Sequence, residues 1–394
     1  MASAIATGLA ALSLAVWVYL IALRGGFWLA NQRLGRCPPP SRWPGVVAIV
    51  PARNEARTVA AALQSLLAQD YAGPFSIILV DDASTDATVK IARRLAASGP
   101  AGERLEVLSA PPLAPGWTGK PWALSHGVVR AFETAPSASY LFLTDADTVH
   151  APTTLGALVA KAEAEGRDLV SLLVRLHCER LWERLLIPAF VFFFQKLYPF
   201  GYVNDDGRGT AAAAGACIIV RRKALERAGG IDEIRAALID DLALARAIKR
   251  TGGRLWLGLA DASRSLRTYD RLADLWHMVA RTAYAELRYS PPLLLGCVIA
   301  MGVTYLAPPL VLLALPLHSG ALAAVAAALA WALMAAAYTP TLAYYRQPRA
   351  LAVALPLAAA LFLAMTLDSA RRRRRGEGGR WKARTLGRNQ RGGA

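Results

Sequence analysis

Cysteine and histidine are scarce in this chain. Its four cysteines, Cys37, Cys178, Cys217 and Cys297, are scattered over 394 residues with no C-x-x-C pair. That spacing excludes a zinc ribbon and a disulfide framework and leaves reduced, structural thiols. The five histidines, His126, His150, His177, His277 and His318, show no ligand spacing, and none is assigned to a metal. Acids are also in deficit, 28 Asp and Glu against 45 Lys and Arg, for a formal net charge of +17. With 55% hydrophobic residues, that balance excludes a disordered polyelectrolyte, and the length excludes a very small domain. There is room for one large core together with membrane segments.

The apolar residues are concentrated at the two ends. Residues 1–24 read as a transmembrane anchor, because the first 23 carry no charged side chain and about 20 apolar residues suffice to cross the hydrocarbon core. A cleaved signal peptide is the alternative, but the stretch has neither a basic n-region nor a clear small-residue cleavage site. Arg24, Arg33 and Arg36 follow at once, so the positive-inside rule places the next region in the cytosol and the N-terminus outside. Residues 291–369 hold three further apolar stretches, 293–317, 319–345 and 350–369, broken by Pro308, Pro309, Pro316, Pro340 and Pro356. Residues 370–394 carry ten basic residues against Glu377. Directly after a membrane segment, such a run is a cytosolic topology anchor that attracts anionic lipid, and nucleic acid is not the expected partner. Three complete crossings would put this tail outside, against the positive-inside rule. The expectation is therefore a cytosolic tail, with one of the three stretches re-entrant or lying along the interface.

Residues 45–270 read as one soluble α/β domain. "GVVAIVPARNE" is a buried-type strand, "ARTVAAALQSLLAQ" a helix, "SIILVDDAST" a strand, "DATVKIARRLAAS" a helix, "RLEVLSA" a strand, "PWALSHGVVRAFETA" a helix and "SYLFLTDAD" a strand. This alternation implies a mostly parallel sheet covered by helices. Ligands bind such sheets beyond the carboxyl ends of the strands, where Arg53, Asn54, Glu55, Asp81, Asp82, Asp145 and Asp147 fall. Residues two apart in an extended segment face the same way, so Asp145 and Asp147 can direct both carboxylates at one hard cation. The bland alternative is that one acid caps a helix beginning near Pro152 and the other is solvated.

In order and spacing, "VVAIVPARNE", "ILVDDASTDAT", "GKPWAL", "FLTDADT" and "IDDLALARAIKR" resemble the family 2 glycosyltransferases, enzymes of the GT-A fold, over roughly residues 45–250. The resemblance implies inverting transfer of a sugar from a nucleotide-diphosphate donor, with Mg2+ or Mn2+ as cofactor. Residue by residue, it implies that Pro51, Arg53, Glu55, Asp81 and Asp82 serve the nucleotide. It also implies that Lys120 stands near the phosphates and that Asp145 and Asp147 hold the metal, with Asp145 also on the nucleotide-sugar side. The flanking membrane segments and the "RWKAR" tail resemble the bacterial hopanoid-associated glycosyltransferases more narrowly. That match implies a hopanoid or other polyprenoid acceptor and residence in the bacterial inner membrane, with the catalytic domain cytosolic.

An inverting transfer needs a base facing the metal across the pocket. Asp240 and Asp241 open a helix whose Leu242, Leu244, Ala245 and Ile248 would pack inward, and N-terminal capping is the ordinary alternative for such a pair. In the family the motif is Glu-Asp with the second acid as base, so Asp241 takes that role and Asp240 replaces the glutamate on the acceptor side. Small residues from Gly209 to Ala216 let a substrate approach the backbone, and the match places an acceptor-side wall at Gly215. Residues 271–290 read as an amphipathic interface helix. The family's processive members carry Q-x-x-R-W here, whereas this chain has Glu286, Leu287, Arg288 and Tyr289. Only Arg288 is retained, on the acceptor side, so one sugar added to a membrane lipid is expected rather than a polymer. The competing functions are sugar transfer to undecaprenyl phosphate and a non-catalytic nucleotide-binding membrane scaffold.

Overall fold

The computed structural model describes residues 2–376, so the "RWKAR" stretch and the rest of the tail lie outside the described residues. The chain forms two compact units. One comprises residues 32–177 and 202–268; the other comprises residues 1–31, 178–201 and 269 onward.

The first unit is built on an eight-stranded sheet: β1 (Gly45–Ala52), β2 (Phe75–Asp81), β3 (Leu105–Ser109), β4 (Ala138–Thr144), β5 (Thr148–His150), β6 (Leu169–Arg175), β7 (Cys217–Arg221) and β8 (Leu255–Ser265). The order across the sheet is β3-β2-β1-β4-β7-β6-β8-β5. The β3-β2-β1-β4 half is parallel throughout, as is β6 with β8, whereas β7 runs antiparallel to both of its neighbours and β5 to β8. β1, β2, β4 and β6 are buried along nearly their whole length, which is why their sequences are continuous apolar runs rather than alternating ones. One core holds Val50, Leu66, Leu79, Phe142, Leu172 and Ile219 together. The helix Gly119–Thr134 lies close against this sheet at Gly127, where a Cβ would meet Ile49 Cγ2 at 2.4 Å. Only glycine permits that approach, and it sets where the helix's first turn, with Lys120, comes to rest.

The second unit is helical. Five helical segments among the described residues are long and apolar enough to cross a membrane by length and composition: Ala2–Leu23, Leu181–Val203, Pro291–Leu313, Ala321–Tyr344 and Arg349–Arg374. The amphipathic stretch expected at 271–290 contains a helix over Leu272–Glu286, with Leu275, Val279, Ala280 and Tyr284 buried.

One expectation needs correction. Residues 45–270 are not a continuous domain, because 178–201 group with the helical unit. This insertion is the phenylalanine-rich helix Leu181–Leu197, "LWERLLIPAFVFFFQKL". Its apolar run is interrupted by Glu183, Arg184 and Lys196, which disguises it as part of a soluble core when only long uncharged stretches are sought.

Candidate active site

The carboxyl ends of β1, β2 and β4 lead into three loops that carry the acids. After β1, Asn54 adopts a left-handed backbone (φ 52°), and its Oδ1 accepts the Thr85 N–H at 2.8 Å. Its own N–H donates to Ser84 Oγ at 3.0 Å, and the Glu55 N–H donates to Thr88 Oγ1 at 2.8 Å. The two loops are thereby tied together. Asp81 accepts the Ser84 N–H with both carboxylate oxygens at 3.2 Å, and Arg53 Nη1 donates to the Asp82 carbonyl and lies 3.3 Å from Asp82 Oδ2. Asp81 and Asp82 are both buried, and a buried carboxylate is tolerable where it is paired and hydrogen-bonded.

Asp145 and Asp147 do not lie on an extended segment as the sequence reading supposed. They flank Ala146 in a tight turn between β4 and β5, closed by the Thr148 N–H donating to the Asp145 carbonyl at 3.2 Å. Neither caps the following helix Thr154–Ala164, whose Leu155 N–H donates to Gln69 Oε1 at 2.9 Å. Sequence reasoning missed what pins this turn. Thr144 donates to the Ala216 carbonyl at 2.9 Å and meets His150 Nε2 at 2.9 Å, and His150 Nδ1 meets Ser263 Oγ at 2.8 Å. With the Thr144 hydroxyl spent on Ala216, Nε2 carries the proton and Nδ1 accepts from Ser263. Burial holds the His150 pKa down at about 4, against the pull of Asp145, so the ring is neutral at physiological pH. The only signal available in the sequence was a histidine following the acids at strand spacing.

The other side of the site comes from the helix Asp240–Arg250, whose inward face is Leu242, Leu244, Ala245 and Ile248. Asp241 Oδ2 accepts the Gly215 N–H at 2.8 Å, and its Oδ1 accepts the Leu242 N–H at 2.8 Å. A Cβ at Gly215 would stand 3.1 Å from Lys120 Nζ and 3.2 Å from Asp241 Oδ2, so a side chain there would crowd both groups. Lys120 Nζ bridges the two sides, 2.7 Å from Asp145 Oδ1 and 3.5 Å from Asp240 Oδ2. Thr118, at the start of the same helix, donates to the Ala237 carbonyl at 2.9 Å and so binds the loop preceding Asp240 to Lys120's helix.

The electrostatics separate the members of this cluster. Burial lowers the Lys120 pKa, but Asp145 and Asp240 outweigh it, and the net shift is upward, so the ammonium is firmly charged. Burial and the neighbouring Asp240 charge push Asp241 up to about 7, opposed by Lys120 and by the two backbone N–H donors. A small pocket lies among these groups, bordered by Pro51, Lys120, Leu143, Gly215, Asp240 and Asp241. Thus Lys120, Asp145, Asp240, Asp241 and Gly215 meet in one place. Arg288, with a left-handed φ of 52°, belongs to the helical unit and does not border this pocket.

Asp145 and Asp147 suit a divalent ion. Two carboxylates flanking a turn are hard oxygen donors for an ion that completes its shell with water and phosphate oxygens, and such an ion would share Asp145 with the Lys120 ammonium. No cluster of three or more His, Cys, Asp or Glu ligands occurs among the described residues, so a closed all-protein cage is not what the site offers.

Comparison with known proteins bears on this arrangement. The chain is similar to a mannosyltransferase from Pyrobaculum calidifontis solved in complex with GDP-Man and Mn2+, with 24% identity, 94% of this chain and 99% of that one covered, and a TM-score of 0.56. It also matches TarS of S. aureus (16% identity, 62% and 40% covered, TM-score 0.41). A third match is glucosyl-3-phosphoglycerate synthase of Mycobacterium tuberculosis with Mn2+, UDP and glucosyl-3-phosphoglycerate (19% identity, 62% and 79% covered, TM-score 0.42). The fold comparison rests on the first, whose likeness runs through nearly the whole of both chains. No curated protein sequence matches. Residues 47–229, a little under half of the chain, match the family model for glycosyl transferase family 2, and the fold is similar to that of the mannosyltransferase.

Proposed function

We propose that the protein is a membrane-bound, metal-dependent, inverting glycosyltransferase that moves one sugar from a nucleotide-diphosphate donor to a lipid hydroxyl, with a hopanoid or other polyprenoid as acceptor. The observation that carries this reading is the convergence of Lys120, Asp240 and Asp241 on one pocket, with Asp145 2.7 Å from the Lys120 ammonium and Asp241 pushed up to about 7. A general base works best when its pKa lies near the operating pH.

In this reading Arg53, Glu55, Asp81 and Asp82 form the nucleotide end, beside Pro51. Asp145 and Asp147 hold Mg2+ or Mn2+, which supplies charge neutralisation to the departing diphosphate. Lys120 adds a fixed positive charge beside the phosphates. Asp241 accepts the proton of the acceptor hydroxyl while its oxygen bonds to the anomeric carbon and the bond from that carbon to the diphosphate oxygen breaks. The Gly215 and Leu242 N–H groups orient the Asp241 carboxylate, leaving each oxygen a second lone pair for the hydroxyl. Gly215 and Asp240 border the acceptor side, and Arg288 keeps the acceptor role that the resemblance implies for it. Five helices apolar enough to cross a bilayer support a membrane-borne acceptor, and the arginines after Leu23 support a cytosolic catalytic unit in a bacterial inner membrane.

Mass spectrometry of total lipids from cells with and without the protein tests this reading directly. A glycolipid present only with the protein is expected. An unchanged lipid profile, together with sugar transfer to a soluble acceptor, would overturn the lipid assignment.

A further inference from the structure

Resting on the reading of this chain as a membrane protein, we infer that residues 349–374 are a re-entrant hairpin inserted from one face of the bilayer, not a crossing. Their arginine run then meets the anionic headgroups of the leaflet on the same face as Arg24, at the end of the first helix.

The directions of the helices within the helical unit carry this. The junction end of the helical unit is marked by Arg24, Glu286 and Gln347, whose partners Lys196, Tyr198 and Cys178 lie on or beside the helix Leu181–Leu197. Ala2–Leu23 runs toward that end: Arg24 Nε, just beyond it, donates to the Lys196 carbonyl at 3.3 Å. Its other end lies by Gly320, where a Cβ would stand 3.0 Å from Ser3 Oγ. Pro291–Leu313 runs away from the junction. It follows Glu286, which accepts from the Tyr198 hydroxyl at 2.6 Å, and it reaches the far end with Val311 packed among Ala6 and Ala10. Ala321–Tyr344 then returns. It starts beside Ser3, and Gln347 just beyond its end donates to the Cys178 carbonyl at 3.1 Å and accepts from Arg184 Nε at 2.7 Å.

A further crossing would have to run away from the junction, yet Leu355–Arg374 runs toward it. Its start follows Val353, which lies against Trp331 near the middle of Ala321–Tyr344. Near its end Arg373 lies over the Tyr289 ring at 4.5 Å, ahead of Pro291. Asp368 and Ser369 are held by the helix Leu272–Glu286, through the Trp276 Nε1–H at 2.8 Å and the Tyr284 N–H at 3.1 Å. Two consecutive helices that point the same way need a return between them, and only residues 345–354 are available. That return is shallow, because the Val353 carbonyl accepts from Trp331 Nε1 at 3.2 Å, near the middle of Ala321–Tyr344. The apolar part of the last helix, residues 355–367, is about 20 Å long at 1.5 Å per residue, short of the roughly 30 Å of a hydrocarbon core.

The hairpin brings Arg371, Arg372, Arg373 and Arg374 back to the junction end, where polybasic segments are drawn to anionic lipid. It also removes the conflict with the positive-inside rule that three crossings would create.

Two single-cysteine variants, in a background with Cys37, Cys178, Cys217 and Cys297 all changed to Ser, decide the matter. Arg375→Cys and Ser319→Cys, the latter in the exposed far loop, are treated with a membrane-impermeant maleimide on sealed membrane vesicles of uniform orientation. The hairpin requires opposite behaviour, one position labelled directly and the other only after permeabilisation. A third crossing puts both on the same side, and identical labelling at the two positions overturns the inference. Insertion depth is read from a spin label at Val353→Cys. Relaxation dominated by oxygen is expected, and relaxation dominated by a water-soluble nickel chelate would show a surface-lying segment and refute the hairpin. Neither readout depends on transfer activity, so their failure is separable from failure of the enzymatic reading.

Discussion

The two units solve the burial problem in opposite ways. In the α/β unit large apolar side chains are inside, and the polar groups at the strand ends are held in named hydrogen bonds. In the helical unit the apolar side chains also cover the outside, with Leu313, Leu317 and Leu322 exposed at 77%, 83% and 69%. Among the described residues every strongly exposed large hydrophobic side chain except Val129 belongs to the helical unit. A water-soluble surface does not tolerate a patch of that extent, and a surface solvated by lipid does. The comparison teaches where each kind of substitution should hurt: chemistry at the strand ends, folding inside the sheet, and little on the lipid-facing helices.

The largest expected effect is at the strand ends. Asp145→Ala, Asp147→Ala or excess EDTA should abolish sugar transfer while the unfolding transition stays put, because these half-exposed turn residues contribute little to the core. Full turnover in EDTA would remove the metal from the mechanism. A stability pair sharpens the contrast next. Phe142→Ala, which empties a fully buried position in the sheet, should cost about 3–5 kcal/mol in chemical denaturation. Leu317→Ala, on the exposed face of the helical unit, should stay within about 0.5 kcal/mol. Comparable losses at both sites would break the inside-outside distinction. The smallest effect is graded by pH. With the free-enzyme carboxyl of Asp241 pushed up to about 7, its basic form is lost below that pH, so kcat/KM should fall about tenfold per pH unit on the acid side and level off above it. A profile flat down to pH 5 would assign the base elsewhere.

The parts of the molecule differ in how far they could be read in advance. The α/β alternation from β1 to β4 was legible because buried parallel strands are uninterrupted apolar runs of fixed length, and the acids that follow them mark their carboxyl ends. The turn at Asp145 and Asp147 was not, because its shape is set by Thr144, His150 and Ser263, and Ser263 comes from a strand more than a hundred residues later. The juxtaposition of Lys120 with Asp240 depends likewise on Gly127 seating one helix and on Thr118 holding the loop before the other. In the helical unit hydropathy gave the apolar stretches but carries no direction. Only paired contacts such as Arg373 with Tyr289 and Trp331 with Val353 reveal which way a helix runs. The helix Leu181–Leu197 escaped notice for a related reason: three charged residues and a middling hydropathy hide a segment that belongs with the apolar helices.

The central claim is that the carboxylate held by the Gly215 N–H takes the acceptor's proton. Asp241→Asn tests it, since the amide keeps the shape and can still accept the Gly215 and Leu242 N–H groups through its oxygen but cannot take up a proton at neutral pH. On one purified variant, nucleotide-sugar binding is measured by calorimetry and glycolipid formation by radiolabel. The account predicts donor affinity close to that of the unmodified protein and transfer slowed by about 10² to 10⁴. Near-normal transfer would contradict it and reduce Asp241 to a helix-terminal acid, as would parallel loss of donor binding and stability.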